Sequence, residues 1–159
     1  FKMVFEENLF QPLNCKLIQH PYLEADDCAY YVANHYKNTH NVFIIANDHD
    51  YMQIICDKIN VINLQNKNLK DNKNFYNNSK KALFMKIILG DKSDNIPPVF
   101  KKCGIKTAEK YFENQELFNN ELNNNIESKN QYLINKKIID FTNIPEEYLN
   151  ELKNTYFNI

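Results

Sequence analysis

Seven carboxylates in three short segments are the residues of this sequence best suited to chemistry. They are Glu24, Asp26 and Asp27 in Leu23-Glu-Ala-Asp-Asp27, Asp48 and Asp50 in Asn47-Asp-His-Asp50, and Asp91 and Asp94 in Gly90-Asp-Lys-Ser-Asp-Asn-Ile-Pro97. Taken singly, each segment has an ordinary reading. Acids at the head of a helix cap it and complement its dipole, and Gly, Asp, Ser and Asn are turn formers. Taken together they read differently, because six of the nine aspartates fall in these segments and each segment lies at the end of an expected buried element. Converging carboxylates repel one another and raise their own pKa values unless a cation neutralises them. An oxygen-only donor set selects a hard ion, magnesium or manganese. Two such ions about 4 Å apart can activate a water and stabilise the leaving oxygen of a phosphodiester.

A second stretch is basic. Lys101-Lys-Cys-Gly-Ile-Lys-Thr-Ala-Glu-Lys110 puts Gly104 before a helix start, where glycine permits a tight turn. The backbone N–H groups of that helix start can hold a phosphate. Lys101, Lys102, Lys106 and Lys110 add charge for sequence-independent contact with a nucleic-acid backbone. A solvated basic helix start is the plainer alternative. Ser93 has no base and orienting partner beside it in sequence, so a serine nucleophile is rejected. His49 reads as an exposed loop histidine, and Tyr22 and Tyr51, which flank the acidic motifs, read as core.

The elements that must position these groups alternate. A short strand is expected near Cys15–Ile18. A helix from about Ala25 has apolar residues at Ala25, Cys28, Ala29, Val32, Ala33 and Tyr36, the spacing of a one-sided helix. Val42–Ala46 is a continuous apolar run that suits a parallel strand buried on both faces. A short helix over Asp50–Cys56 and a strand over Asn60–Leu64 continue the alternation, the mark of an α/β sheet. Gln65–Ser79, rich in Asn and Lys, reads as an exposed connection. An apolar helix over Lys80–Leu89 ends at Gly90, which sits where a C-terminal cap would. Beyond it the pattern is helical throughout: Lys106–Glu113, Glu116–Asn123, Lys129–Asp140 and Glu146–Tyr156. This divides the chain into an α/β lobe, residues 1–90, and a helical lobe, residues 91–159.

Composition bounds the rest. The chain has 159 residues, 43% of them apolar, enough for a real core. Its net charge of −1 does not by itself mark a nucleic-acid binder, but an acidic metal face and a basic binding face cancel in the sum. All 19 basic residues are lysine, and the wealth of Asn, Lys, Ile, Tyr and Phe reflects A/T-rich codons. No apolar run approaches a membrane span and no signal peptide is visible. The four cysteines form no Cys-x-x-Cys pair, so free thiols in an intracellular, reducing compartment are expected, with no disulfide frame or zinc site. The opening Phe1-Lys2-Met3 suggests a fragment or a processed product.

The three acidic motifs, then Gly104-Ile-Lys-Thr-Ala108, occur in the order found in the 5′-nucleases, a family that includes flap endonucleases and the 5′-3′ exonuclease domains of bacterial DNA polymerases. The resemblance spans about Tyr22 to Tyr156. Tyr132-Leu-Ile-Asn-Lys-Lys-Ile-Ile-Asp-Phe141 and Ile144-Pro-Glu-Glu147 most resemble the bacteriophage ribonuclease H branch. The resemblance implies an α/β, PIN-like parallel-sheet core, incomplete at its N-terminus, followed by a helix-hairpin-helix lobe. It implies two-metal, magnesium-dependent hydrolysis (manganese serving as well) of 5′ flaps, duplex ends and RNA in RNA–DNA hybrids, in replication or repair. A replication clamp or a single-strand-binding protein would be further partners. By position, Glu24, Asp26 and Asp48 match one metal site. Asp50, Asp91 and Asp94 match the second or its water shell, and Asp27 matches a third acidic position that not all members keep. Gly104, Lys106 and Thr107 match the hairpin that holds the duplex backbone, often with a potassium ion. Two departures stand out. The family hairpin has Gly-x-Gly where this chain has Lys102-Cys103-Gly104. The strand bearing the first aspartates and the basic arch would precede Phe1. A catalytically incomplete DNA-binding piece is therefore the alternative to an active nuclease. A PIN-type ribonuclease, which shares an acidic core, is disfavoured by the hairpin after Asp94.

Overall fold

The computed structural model describes residues 15–157. The expected strand near Cys15–Ile18 is irregular. The Lys16 ammonium donates to the Tyr156 carbonyl, and just beyond the segment the Tyr156 hydroxyl donates to the Gln19 carbonyl at 3.0 Å and accepts from the Gln19 N–H at 3.2 Å. Helix α1 (Ala25–Tyr36) then turns Cys28 and Ala33 into the core. Strand β1 (Val42–Ile45) follows and pairs in parallel with β2 (Ile59–Ile62), in the register Val42↔Ile59 to Ile45↔Ile62. These two strands are the only sheet among the described residues. Between them the chain makes a 3₁₀ turn over His49–Ile54. Two further 3₁₀ turns, Leu69–Asp71 and Lys73–Phe75, occupy the expected loop and anchor it by burying Leu69 and Phe75.

Helix α2 (Ser79–Leu89) is the hinge of the architecture. Asn78 caps it by accepting from the Lys81 N–H at 3.0 Å, and Gly90 ends it. Its sequence is apolar on nearly every side, as a helix packed between two layers must be. Ala82 faces one core cluster, with Tyr51, Met52, Val61 and Phe75. Met85 and Ile88 face a second, with Val99, Ala108, Phe118 and Leu122. Full burial of an Ile88 or a Val61 side chain contributes about 1.5–3 kcal/mol each. The second cluster is enclosed by α3 (Ile105–Glu113), α4 (Gln115–Asn123) and α5 (Ile126–Ile139), and α6 (Glu146–Tyr156) closes the chain.

The expected two-sided burial of β1 is not met. Ile44 packs into the first cluster, but Phe43 is 61% and Ile45 71% exposed. The described helices cover one face of this sheet. Tyr51 is buried as expected, whereas Tyr22 is 73% exposed; its ring stacks on Tyr148 at 5.5 Å without being enclosed.

Candidate active site

The three acidic segments meet on one side of the molecule. Glu24, Asp26, Asp27, Asp48, Asp50 and Asp94 line a single cleft of about 830 Å³. Asp91 lies beside it, on an adjoining pocket that Asp50 and Lys86 also line. The local reason for each position is visible. Glu24 precedes α1 with extended backbone, and its N–H donates to the Asp27 carboxylate at 3.1 Å. The Asp27 N–H in turn donates to Asp26 Oδ1 at 3.0 Å. Asp48 leaves the C-terminal end of β1 and accepts from the Asp50 N–H at 2.8 Å, which starts the 3₁₀ turn. Asp91 and Ile96 exchange backbone hydrogen bonds of 2.9 and 2.7 Å, closing the loop that displays Asp94. The capping and turn roles read from the sequence are thus real, and they are how the carboxylates are held.

Gly90 makes that loop possible. Its φ of 70° lies in the left-handed region, and a Cβ there would meet the Ile96 carbonyl oxygen at 2.3 Å and Pro97 atoms at 2.7 Å. Gly104 is different. Its backbone is extended (φ −98°) and a Cβ would meet nothing within 4 Å. The tight turn expected of Gly104 is made by Lys102, at φ 66°, the position where the family hairpin has its first glycine. Lys101, Lys102, Lys106, Thr107 and Lys110 are exposed around the start of α3, while Ala108 is fully buried beneath them. Lys101 contacts Glu127 at 3.6 Å; both are so exposed that the pair contributes little.

The electrostatics divide the acids into two groups. Asp26 has its pKa raised, first by burial, then by Asp27, with a smaller push from Glu24. Tyr51, packed under the same wall, is pushed up to about 12 by burial and by the charges of Asp26 and Asp48. Asp91 is shifted the other way, to about 2, chiefly by the Ser93 hydroxyl and then by Lys86. The Lys86 ammonium lies between two carboxylates, touching Asp50 Oδ1 and reaching Asp91 Oδ2 at 2.9 Å.

Three residues of this site had no role assigned to them from the sequence, although Gln53 and Asn135 lie in stretches that carry the family resemblance. Lys86 interrupts the helix face formed by Ala82, Leu83 and Leu89, a signal present in the sequence but outside any acidic motif. Gln53 ties the Asp50 turn to the end of α5. Its amide donates to the Asp50 and Ile139 carbonyls at 3.1 and 2.9 Å and accepts from the Phe141 N–H at 3.1 Å. Asn135, fully buried, donates to the Ile87 and Pro97 carbonyls at 2.9 and 2.8 Å, and Gln131 donates to its oxygen at 2.7 Å. Nothing in the polar Asn-Lys-Lys run distinguishes Asn135 by pattern.

As the side chains stand, no three acidic, histidine or cysteine groups among the described residues are close enough together to hold one metal ion. The chemistry of the donors nonetheless fits a hard divalent cation at the Glu24–Asp26–Asp27–Asp48 wall. The donors are all oxygen, and their mutual repulsion is the condition that a cation relieves. At Asp50 and Asp91 the lysine ammonium already fills that role.

Comparisons with known proteins bear on the family and the fold. The family described as "5'-3' exonuclease, N-terminal resolvase-like domain" matches residues 3–82. A 5'-3' exonuclease of Bacillus subtilis is 33% identical over 109 residues, covering 64% of this chain and 36% of its own length. The chain thus spans about a third of that relative. Among solved structures, a phage T5 protein co-crystallised with metal ions superposes with a TM-score of 0.72 at 16% identity, covering 96% of this chain and 67% of the other. A bacteriophage T5 flap endonuclease variant in complex with DNA and metal ions gives 0.71 at 15%, covering 97% and 66%. The fold is therefore that of these nucleases, a PIN-like α/β core with a helical lobe, and the chain belongs to the 5′-3′ exonuclease family.

Proposed function

We propose that the protein hydrolyses phosphodiester bonds as a divalent-metal-dependent 5′-3′ exonuclease or flap endonuclease, acting on DNA and on RNA in RNA–DNA hybrids during replication or repair. The observation that carries this reading is the convergence of six carboxylates, from three separate segments, on one cleft. Glu24, Asp26 and Asp48, with Asp27 beside them, would hold one magnesium or manganese ion. Asp50, Asp91 and Asp94 would hold a second or orient its water shell. Such ions lower the pKa of a bound water and stabilise charge on the phosphate oxygens.

The residues of the chain do the rest. The backbone that carries Asp48 and Asp50 is fixed by their own turn, and that of Asp94 by the loop beyond Gly90, so the segments are in place before substrate arrives and the side chains would turn to meet a metal. Water oxygen adds to phosphorus and gives up a proton to solvent, the bond to the leaving oxygen breaks, and that oxygen takes up a proton from solvent, so the step balances. Lys86 is the protein's own cation nearest the acids, able to pair with a phosphate oxygen if Asp50 and Asp91 turn to a metal. The division into a nuclease core over 1–90 and a DNA-binding helix-hairpin-helix lobe over 91–159 belongs to the same reading. In that lobe Lys101, Lys102, Gly104, Lys106, Thr107 and Lys110 would grip the duplex backbone, with potassium at the hairpin. A clamp or single-strand-binding protein and an intracellular setting complete the proposal.

One observation favours a second reading, a DNA-binding piece without catalysis: the Lys86 ammonium already neutralises Asp50 and Asp91. Labelled 5′-flap DNA with magnesium separates the two. The nuclease reading expects cleavage that Asp48→Ala abolishes. Binding without cleavage supports the second reading, and equal cutting by Asp48→Ala contradicts the catalytic assignment.

A further inference from the structure

The irregular segment that leads into Glu24 lies lengthwise along the last helix, α6, and its contacts run along that helix in the opposite sense to its own sequence. Gln19 engages the Tyr156 hydroxyl with both its N–H and its carbonyl, His20 meets Glu151 at 2.9 Å, and Tyr22 stacks on Tyr148 at 5.5 Å. Among the described residues, the long-range hydrogen bonds of residues 19–22 all go to α6. His20 is the centre of this contact. Its side chain is 5% exposed and its ring lies 5.3 Å from that of Tyr148. The Tyr22 N–H donates to its Nδ1 at 3.2 Å, so Nδ1 is the acceptor and the ring proton sits on Nε2, facing Glu151. One edge of the imidazole thus fixes the turn before Glu24, and the other fixes that turn to α6. The far end of α6 is held to α1 as well, through Phe157 against Tyr31 at 5.4 Å.

Glu24 is the acid of the wall that needs such support. Asp26 and Asp27 stand on the first turn of α1 and Asp48 starts its own turn, whereas Glu24 precedes the helix. From the helix side it is held by its N–H on the Asp27 carboxylate and by its carbonyl, which accepts from the Cys28 N–H at 3.2 Å. Helix ends fray, and the chain on the other side of Glu24 has no strand ladder to stop it. A site whose donor is in place only part of the time binds its ligand more weakly by that fraction. Resting on the cation-site reading above, we propose that α6 is a positioning strap for that site: His20, tied to Glu151, holds the lead-in so that Glu24 stays in the cleft. His20 and Glu151 are positioning residues and touch neither metal nor substrate. The last helix then serves the nuclease core as well as the helical lobe in which its place in the sequence puts it.

The test is calorimetric titration of manganese, without DNA, into the wild type and a set of variants. His20→Asn keeps an acceptor for the Tyr22 N–H but is too short to reach Glu151, whereas His20→Gln can still donate to Glu151. Glu151→Ala, at a side chain 58% exposed, cuts the same tie from the α6 side. His20→Asn and Glu151→Ala should each weaken manganese binding about fivefold, the contribution of one hydrogen bond, and the two together should weaken it no further than either alone. His20→Gln should bind like the wild type. Leu122→Ala, in the second core cluster, should lower the Tm and leave manganese binding unchanged, which separates positioning from a general loss of stability. By reciprocity, manganese should slow amide exchange along α6, read by mass spectrometry, in the wild type and not in Glu151→Ala. Unchanged manganese affinity in either His20→Asn or Glu151→Ala, equal weakening by Leu122→Ala, or wild-type exchange along α6 that manganese leaves unaltered overturns the strap and leaves the cation site standing. Absence of saturable binding by the wild type overturns the cation-site reading, and the strap with it.

Discussion

Two acidic regions of this molecule, built from the same residue types a few ångströms of chain apart, behave in opposite ways. At the Glu24–Asp26–Asp27–Asp48 wall no lysine lines the cleft among the described residues, and burial with like charge raises the Asp26 pKa. At Asp50–Asp91 a lysine lies between the acids and Asp91 falls to about 2. In the first region no lysine of the cleft lining faces the acids, and in the second the chain supplies the cation itself. What separates the two regions is thus not the number of carboxylates. It is whether the neighbouring buried helix contributes a cation.

The largest way to break the second region is Gly90→Ala. A methyl group there meets backbone at 2.3 Å with φ at 70°, and backbone can yield only by moving the Asp91–Pro97 loop. The expected loss is about 3 kcal/mol or more, read as a drop in thermal midpoint, with Asp94 displaced from the cleft. A midpoint within a degree of wild type contradicts the close approach.

Next is Lys86→Met. The three side chains are 18–23% exposed, so removing the ammonium leaves two partly buried carboxylates facing each other at a cost of about 2 kcal/mol. The pH dependence gives a second readout. Asp91 titrates below its ordinary value of 3.8, at about 2. Its stabilisation is therefore fully present above about pH 4 and is lost as pH falls toward 2. Chemical denaturation between pH 5 and pH 2 should show this loss in the wild type and a reduced but remaining one in Lys86→Met, because the Ser93 hydroxyl, the larger cause of the shift, is still in place. Equal slopes would deny the lysine its role.

The smallest effect sharpens the hairpin. Lys102 occupies a left-handed conformation that costs a non-glycine residue about 1–2 kcal/mol, partly offset by the greater unfolded-state freedom of glycine. Lys102→Gly should stabilise by about 1 kcal/mol or less, a rise of a few degrees in Tm, while removing one charge from the basic surface. A fall in Tm would contradict the strain.

Much of this was legible from residues. The amphipathic spacing from Ala25, the apolar run at Val42 and the cap at Gly90 announced α1, β1 and the end of α2, and the acidic segments were found by type and clustering. The failures have physical causes. Cys15–Ile18 was read as a strand but is irregular, and the contacts that tie it and Gln19 down come from Tyr156, far along the chain, which no local pattern encodes. Burial of β1 on both faces was inferred from composition, whereas burial depends on which elements pack there. Gly104 was credited with a turn that Lys102 makes, since residue identity shows which conformations are easy and not which are used. Gln53 and Asn135 act by long-range contact, and the pairing of Lys86 with Asp50 likewise follows from three-dimensional proximity.

The most direct test of the central claim is calorimetric titration of manganese into the wild-type protein and into Asp26→Asn and Asp48→Asn. If the wall is a cation site, the wild type binds manganese saturably and either substitution weakens binding at least tenfold, about 1.4 kcal/mol. In the absence of metal, Asp26→Asn should also be slightly more stable than wild type at neutral pH. The raised Asp26 pKa means its charged form costs stability as pH rises through that value. Absence of saturable binding in the wild type, or affinities unchanged by both substitutions, would contradict the account.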